Sequence, residues 1–137
     1  MSPEENKAIV RRYQDALNRN DLDALDEIVA ADVRMPNALP GFPPGLEGAK
    51  LNHKASVSIF AEWRVTIEDM VADEEKVAVR IMMSGHHTGP LGDIPPTGKR
   101  FNMAGVYFVR IADGKIVEHW GMGDTTAMMQ QLGLAPT

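Results

Sequence analysis

Apolar positions recur at helical spacing through the first sixty residues and at strand spacing for most of the remainder. Ser2-Pro3-Glu4-Glu5 opens a helix, with Ser at the N-cap, Pro at the first helical position and Glu at the third. Ile9, Tyr13, Ala16 and Leu17 then share one face, to about Asn18. Asn20-Asp21 breaks the pattern, and Asp21 caps a second helix with Leu22, Leu25, Ile28 and Val29 on one side. Asp32 to Pro36 reads as a short edge strand. Pro36 to Gly45 holds four prolines and two glycines and reads as a stiff loop. Leu46, Ala49, His53, Val57 and Phe60 set a third helix from about Leu46 to Phe60.

Strand patterns follow at Trp63 to Ala72, Val77 to Gly85 and Arg100 to Ile111, with the loop Gly89 to Gly98 before the third. Lys115 to Met122 is the last strand, and Asp124 to Leu132 a short closing helix. Between the last two strands, Ala112-Asp113-Gly114 reads as a three-residue turn with Gly114 left-handed. That turn pairs Tyr107 with His119 and Gly105 with Gly121. It puts Met103, Tyr107, Val109, Val117 and His119 on one face and Val106, Phe108, Arg110, Ile116, Glu118 and Trp120 on the other. A two-residue turn at Asp113-Gly114 would slip this pairing by one. Three helices packed on a curved, mainly antiparallel sheet make an α+β domain spanning 1–137, with a cavity between the concave sheet face and the helices.

Composition narrows the picture. The chain is 44% hydrophobic and 24% charged, as expected of a folded domain. Net charge is -5 and no basic block occurs, which argues against nucleic acid as a partner. No apolar run approaches the roughly 18 residues that span a membrane, and no signal-peptide pattern opens the chain. With no cysteine, thiolate chemistry and disulfides are excluded, and a cytoplasmic protein is the expectation. Nine methionines, most of them on strands or the last helix, suit a pliable pocket for a hydrophobic small molecule.

Gly85 to Arg100 (GHHTGPLGDIPPTGKR), Asp113 to Trp120 (DGKIVEHW) and the Asp124 to Gly133 pattern together resemble the SnoaL-like polyketide cyclases, or ester cyclases. Asn18 to Asp26, Gly45 to Gly48 and Phe60 to Val65 are also similar, so the resemblance covers nearly the whole chain. Its N-terminal half is shared with the wider nuclear-transport-factor-like group. The resemblance implies a cone-shaped α+β barrel, a homodimer, a deep apolar pocket and no cofactor or metal. It also implies an intramolecular aldol ring closure on a polyketide ester. In that family an Asp directly after the His-Trp pair carries the proton. Here the position is Gly121.

Glycine cannot move a proton, so the chemistry must fall to another group or be absent. His119 is the best candidate, since imidazole titrates nearest neutral pH, with Tyr107 to orient it or donate to an oxyanion. The plain alternative is a hydrogen-bonded, chemically idle wall histidine. Asp124 is the nearest carboxylate, but its place before Thr125-Thr126-Ala127 is that of a helix N-cap, which lowers a carboxyl pKa. Of His86 and His87 only one can face inward, and metal binding lacks further converging ligands. The resemblance places His87 where it touches substrate or fixes the loop, and Tyr13 where it contacts substrate. Trp63 and Met103 are candidates for the pocket wall, with core packing the alternative. His53 is expected at the core or rim, Gly89 to Gly98 at the pocket mouth, and Trp120 under a partner subunit. Two functions therefore stand: a cyclase or isomerase using His119, or a non-catalytic binding protein for a hydrophobic small molecule.

Overall fold

The computed structural model describes residues 1–38 and 40–134. Ser2 and Glu5 form the expected reciprocal cap, each side chain meeting the other's backbone N–H at 3.1 Å, at the start of α1 (Pro3–Asn18). A single turn, α2 (Leu25–Ile28), leads into β1 (Val29–Arg34), so the edge strand begins three residues before its expected start. Val29 and Val33 are the strand's buried side chains, and pairing with β5 overrides the helical spacing that had claimed Val29. Then come α3 (Gly45–Ile59), β2 (Phe60–Ala72), β3 (Lys76–His87), β4 (Arg100–Ala112), β5 (Lys115–Gly123) and α4 (Thr125–Gln131).

The five strands form one curved sheet in the order β1-β5-β4-β3-β2, antiparallel except for the parallel β1–β5 pair. The sheet does not close: β1 and β2 are its edges. The cone is thus an open one, capped by helices. Ile9 and Val10 of α1 pack with Val77, Val79, Val109 and Ile116 of the sheet. A second cluster, with Phe60, Phe101, Met103, Met128 and Leu132, seats α4 at the other end. Asn18 fastens α1 to β2 by donating to the Val65 carbonyl at 2.9 Å and accepting the Val65 N–H at 3.0 Å. Among the described residues no helix is long and apolar enough to cross a membrane.

The final hairpin departs from the three-residue turn. Asp113 and Gly114 both have positive φ, at 52° and 77°, and form a two-residue connection with Ala112 opposite Lys115. A bulge follows, because Ile111 faces Ile116 while Arg110 faces Glu118. The turn slips the register by one and the bulge by one more, so beyond the bulge every residue keeps its expected face. Partners change: Tyr107 faces Gly121, Val109 faces His119, and Gly105 faces Gly123. The bulge reverses one expectation: Ile116, not Val117, is the residue buried in the core. It also leaves Glu118 beside Arg34 and Arg110 on the outer face.

Candidate functional site

A cavity of about 420 Å³ lies between α1, α3 and the concave sheet face. Its walls are mostly apolar, and Tyr13, Trp63, Met103, Tyr107 and His119 all line it. Five of the seven singled-out residues are thereby gathered at one site. The other two are elsewhere. Asp124 caps α4, accepting the Ala127 N–H at 3.0 Å. His87 is fully buried outside the cavity, against the ring of Phe60.

His87 anchors a loop. The Thr97 N–H donates to its Nδ1 at 3.1 Å, which leaves the ring proton on Nε2, where no partner among the described residues meets it. Its backbone carbonyl accepts from Gly98 at 3.0 Å and its N–H donates to Lys99 at 2.9 Å. The loop Gly89 to Gly98 is therefore tied back onto the end of β3. It does not frame the cavity mouth as expected, and none of its residues lines the cavity. The rim is formed instead by Met35, Asn37 and Ala38 after β1 and by Met122 to Gly123 with Thr125. The Asn37 carboxamide pairs with both the N–H and the carbonyl of Gly121, extending the β5 edge like an added peptide unit.

Aromatic stacking positions the imidazole. The ring of His119 lies against Tyr107 with centroids 5.0 Å apart at 27°, and Tyr13 closes on both, at 5.9 Å from His119 and 6.2 Å from Tyr107. Among the described residues no side chain hydrogen-bonds the imidazole. Burial pushes its pKa down to about 4, opposed in part by a hydrogen bond to its own backbone, so the ring is neutral at pH 7. Burial likewise raises the Tyr13 phenol to about 12, and it raises Tyr107 further, helped by the neighbouring Tyr13. Neither phenol ionises near neutral pH. His53, also on the wall, donates from Nε2 to Asn20 Oδ1 at 2.7 Å, and its pKa is lowered by burial.

Gly121 sits directly beside this stack. A Cβ there would meet His119 Cε1 and Tyr107 Cβ, each at 3.3 Å, a tight fit that small shifts relieve. The two glycines that do face each other, Gly105 and Gly123, enclose no empty space: the Met83 methyl lies 2.6 and 2.7 Å from where their Cβ atoms would be. Met35, Met83, Met103 and Met122 all line the cavity, while Met128 belongs to the second cluster. Among the described residues no three His, Cys, Asp or Glu side chains come together to hold a metal ion. A second hollow between β1 and Pro43–Gly48 shares Val33, Met35, Ala38, Ala49 and Asn52 with the first; among the described residues that line it, the titratable groups are the exposed Asp32 and Arg34.

Of the polar wall residues that the sequence did not single out, the buried one is Gln14. Gln14 is buried on the cavity wall and accepts a hydrogen bond from the Tyr107 hydroxyl at 3.1 Å. Its spacing from Val10 and Leu17 on α1 is the signal that could have found it: a polar side chain in the middle of a buried stripe.

Residues 7–132 match the family model for SnoaL-like polyketide cyclases. The chain is 30% identical over 130 residues to the aklanonic acid methyl ester cyclase DnrD of Streptomyces peucetius, covering 91% of this chain and 88% of that one. It is 29% identical over 126 residues to the nogalonic acid methyl ester cyclase of Streptomyces nogalater, covering 86% and 90%. Among solved structures, TsrD from Streptomyces laurentii superposes with a TM-score of 0.87 at 27% identity, covering 98% of each chain.

Proposed function

Since the chain belongs to the SnoaL-like polyketide cyclase family, we propose that it closes a ring in a hydrophobic polyketide-like ester by an intramolecular aldol reaction, with His119 as the proton carrier. The observation that carries this reading is a neutral imidazole on an apolar cavity wall, hydrogen-bonded to its own backbone and to no side chain among the described residues. The Streptomyces peucetius and Streptomyces nogalater relatives are cyclases of methyl esters, and a cavity of about 420 Å³ suits a flat, mostly apolar ligand of that kind.

In this mechanism an imidazole nitrogen removes a proton from a carbon flanked by two carbonyls. The enolate carbon attacks a ketone carbon in the same molecule and forms the new C–C bond. The alkoxide that results takes the proton back from the imidazolium. Nothing leaves, so the reaction is an isomerisation, and one residue serves as base and then as acid. It requires neither metal nor organic cofactor. An imidazole with a pKa near 4 is a weak base, which restricts the substrate to carbon acids that two carbonyls have already activated. Tyr107, stacked on the ring, fixes its plane and keeps water from that face. Tyr13, Trp63 and Met103 supply apolar contact to the substrate. Asp124, bound into its cap, takes no part.

Gly121 and the weakness of this base favour a second reading, a binding protein that has kept the cavity and lost the reaction. Turnover of a polyketide β-keto ester separates the two. On the enzyme reading His119→Ala abolishes ring closure while the ligand still raises the melting temperature; on the second, wild-type protein binds without turnover.

The outer sheet face supports a homodimer. Phe108 and Trp120 pair across β4 and β5 with centroids 5.9 Å apart, next to Val106 and Met122, and Phe108 is 48% exposed. Arg80 and Arg110 lie on the same face as Asp69 and Glu118, so the patch carries both charge signs and suits a second copy of itself.

A further inference from the structure

One buried polar group in the cavity is an amide whose two ends have unequal fates. Gln14 is 4% exposed, and its Oε1 receives the Tyr107 hydroxyl proton at 3.1 Å. Among the described residues no acceptor takes its Nε2 protons. The side chain lines the cavity beside Tyr13 and Leu17. The Tyr107 hydroxyl is a committed donor, and its pKa, raised by burial, keeps it protonated. With the Tyr107 hydroxyl held on its oxygen, the carboxamide has N–H groups that no protein acceptor among the described residues takes up, and they are open to whatever enters the apolar cavity.

We infer that the Gln14 carboxamide is the site's carbonyl receptor: its Nε2 donates to a ketone or enolate oxygen of the bound molecule, at the far end of Tyr107 from His119. This rests on the cavity being a ligand site. Tyr107 joins the two poles, its ring stacked on the imidazole and its hydroxyl on the amide. A carbonyl held at Gln14 therefore sets how far along the substrate the carbon facing His119 lies. Among the described residues no Lys or Arg lines the cavity, so a carboxylate there would be buried without a counter-charge, and a neutral acceptor such as a ketone or ester is favoured. Gln14 is thus a positioning residue, and a catalytic one only if the oxygen it holds becomes the enolate.

A matched pair of probes tests this: 9-fluorenone, and fluorene, in which a CH₂ replaces the carbonyl. Wild-type protein is expected to bind fluorenone roughly tenfold more tightly than fluorene, the effect of one hydrogen bond from the Gln14 N–H inside the cavity. Gln14→Met, similar in shape but without N–H groups, should lose that ratio. Tyr107→Phe, which leaves the amide in place, should keep it. In ¹H–¹⁵N spectra of the wild type, the Gln14 side-chain NH₂ signals should move downfield with fluorenone and stay with fluorene, a measurement that stands even if Gln14→Met fails to fold. A ratio retained in Gln14→Met, or lost only in Tyr107→Phe, overturns the assignment. Equal binding of both probes by the wild type overturns it too and leaves the cavity as a ligand site. Binding of neither removes the ligand site and this assignment together.

Discussion

At the scale of single residues, the site turns on what lies beside the imidazole. Burial holds the folded-state pKa of His119 at about 4, below its ordinary value of 6.5, so between those two pH values the unfolded chain binds more protons than the folded one. The stability this gives is complete above about pH 6.5 and is lost as the pH falls through about 4; the whole gap corresponds to about 3 kcal/mol, an upper figure for a ring with one side on a cavity. A carboxylate at position 121 reverses the situation, because its charge favours imidazolium. Gly121→Asp should raise the His119 pKa by a unit or more in an NMR titration, and should raise turnover at neutral pH; an unmoved pKa would show that the ring does not face that position. His119 was legible in the sequence from residue type and strand parity together. Its depressed pKa was not, since burial causes it, and the burying groups include Tyr13 on a helix far away in the chain. Gln14 sat in a buried stripe that its spacing could have revealed, but its partner, the Tyr107 hydroxyl 93 residues away, could not be read from the sequence.

At the scale of elements, local signals placed the helices and strands, and long-range pairing decided their details. The α1 cap and the ends of β4 were written in adjacent residues. The β4–β5 register was not, because a two-residue turn and a bulge act in the same direction and restore the parity that a shorter turn alone would have broken. Burial of Ile116 is what the bulge achieves, and no local pattern distinguishes it from Val117. Likewise the prolines of Gly89 to Gly98 gave stiffness but no direction; His87, buried and bonded to Thr97, turns that loop away from the cavity. Asp124 is a cap by geometry, which makes a clean prediction. Asp124→Ala should cost about 1 kcal/mol, read as a lower denaturation midpoint, with turnover unchanged within about twofold. A loss of turnover with stability intact would return Asp124 to the chemistry.

At the scale of the whole molecule, the sheet has two unlike faces. Its concave side, with the helices, encloses a cavity walled in part by Met35, Met83 and Met103; its convex side displays Phe108, Trp120 and Val106, with Met122 exposed beside them at the cavity rim. Phe108→Glu places a charge in the middle of that patch and should shift the protein from dimer to monomer in sedimentation equilibrium, with its melting temperature then independent of concentration. A wild-type protein that is monomeric at high concentration would contradict the self-complementary patch. The cone expected from the sequence proved open, because β1 adds to β5 in parallel and leaves β2 unpaired on its outer side, a connection no single-strand pattern reveals. The most direct measurement of the central claim needs no knowledge of the natural substrate. It is the rate of hydrogen–deuterium exchange at the carbon between the two carbonyls of a 2-substituted aromatic β-keto ester, followed by NMR with wild-type protein and with His119→Ala. Exchange accelerated by the wild type and lost in the variant is the predicted result; equal rates in the two proteins would contradict His119 as the proton carrier.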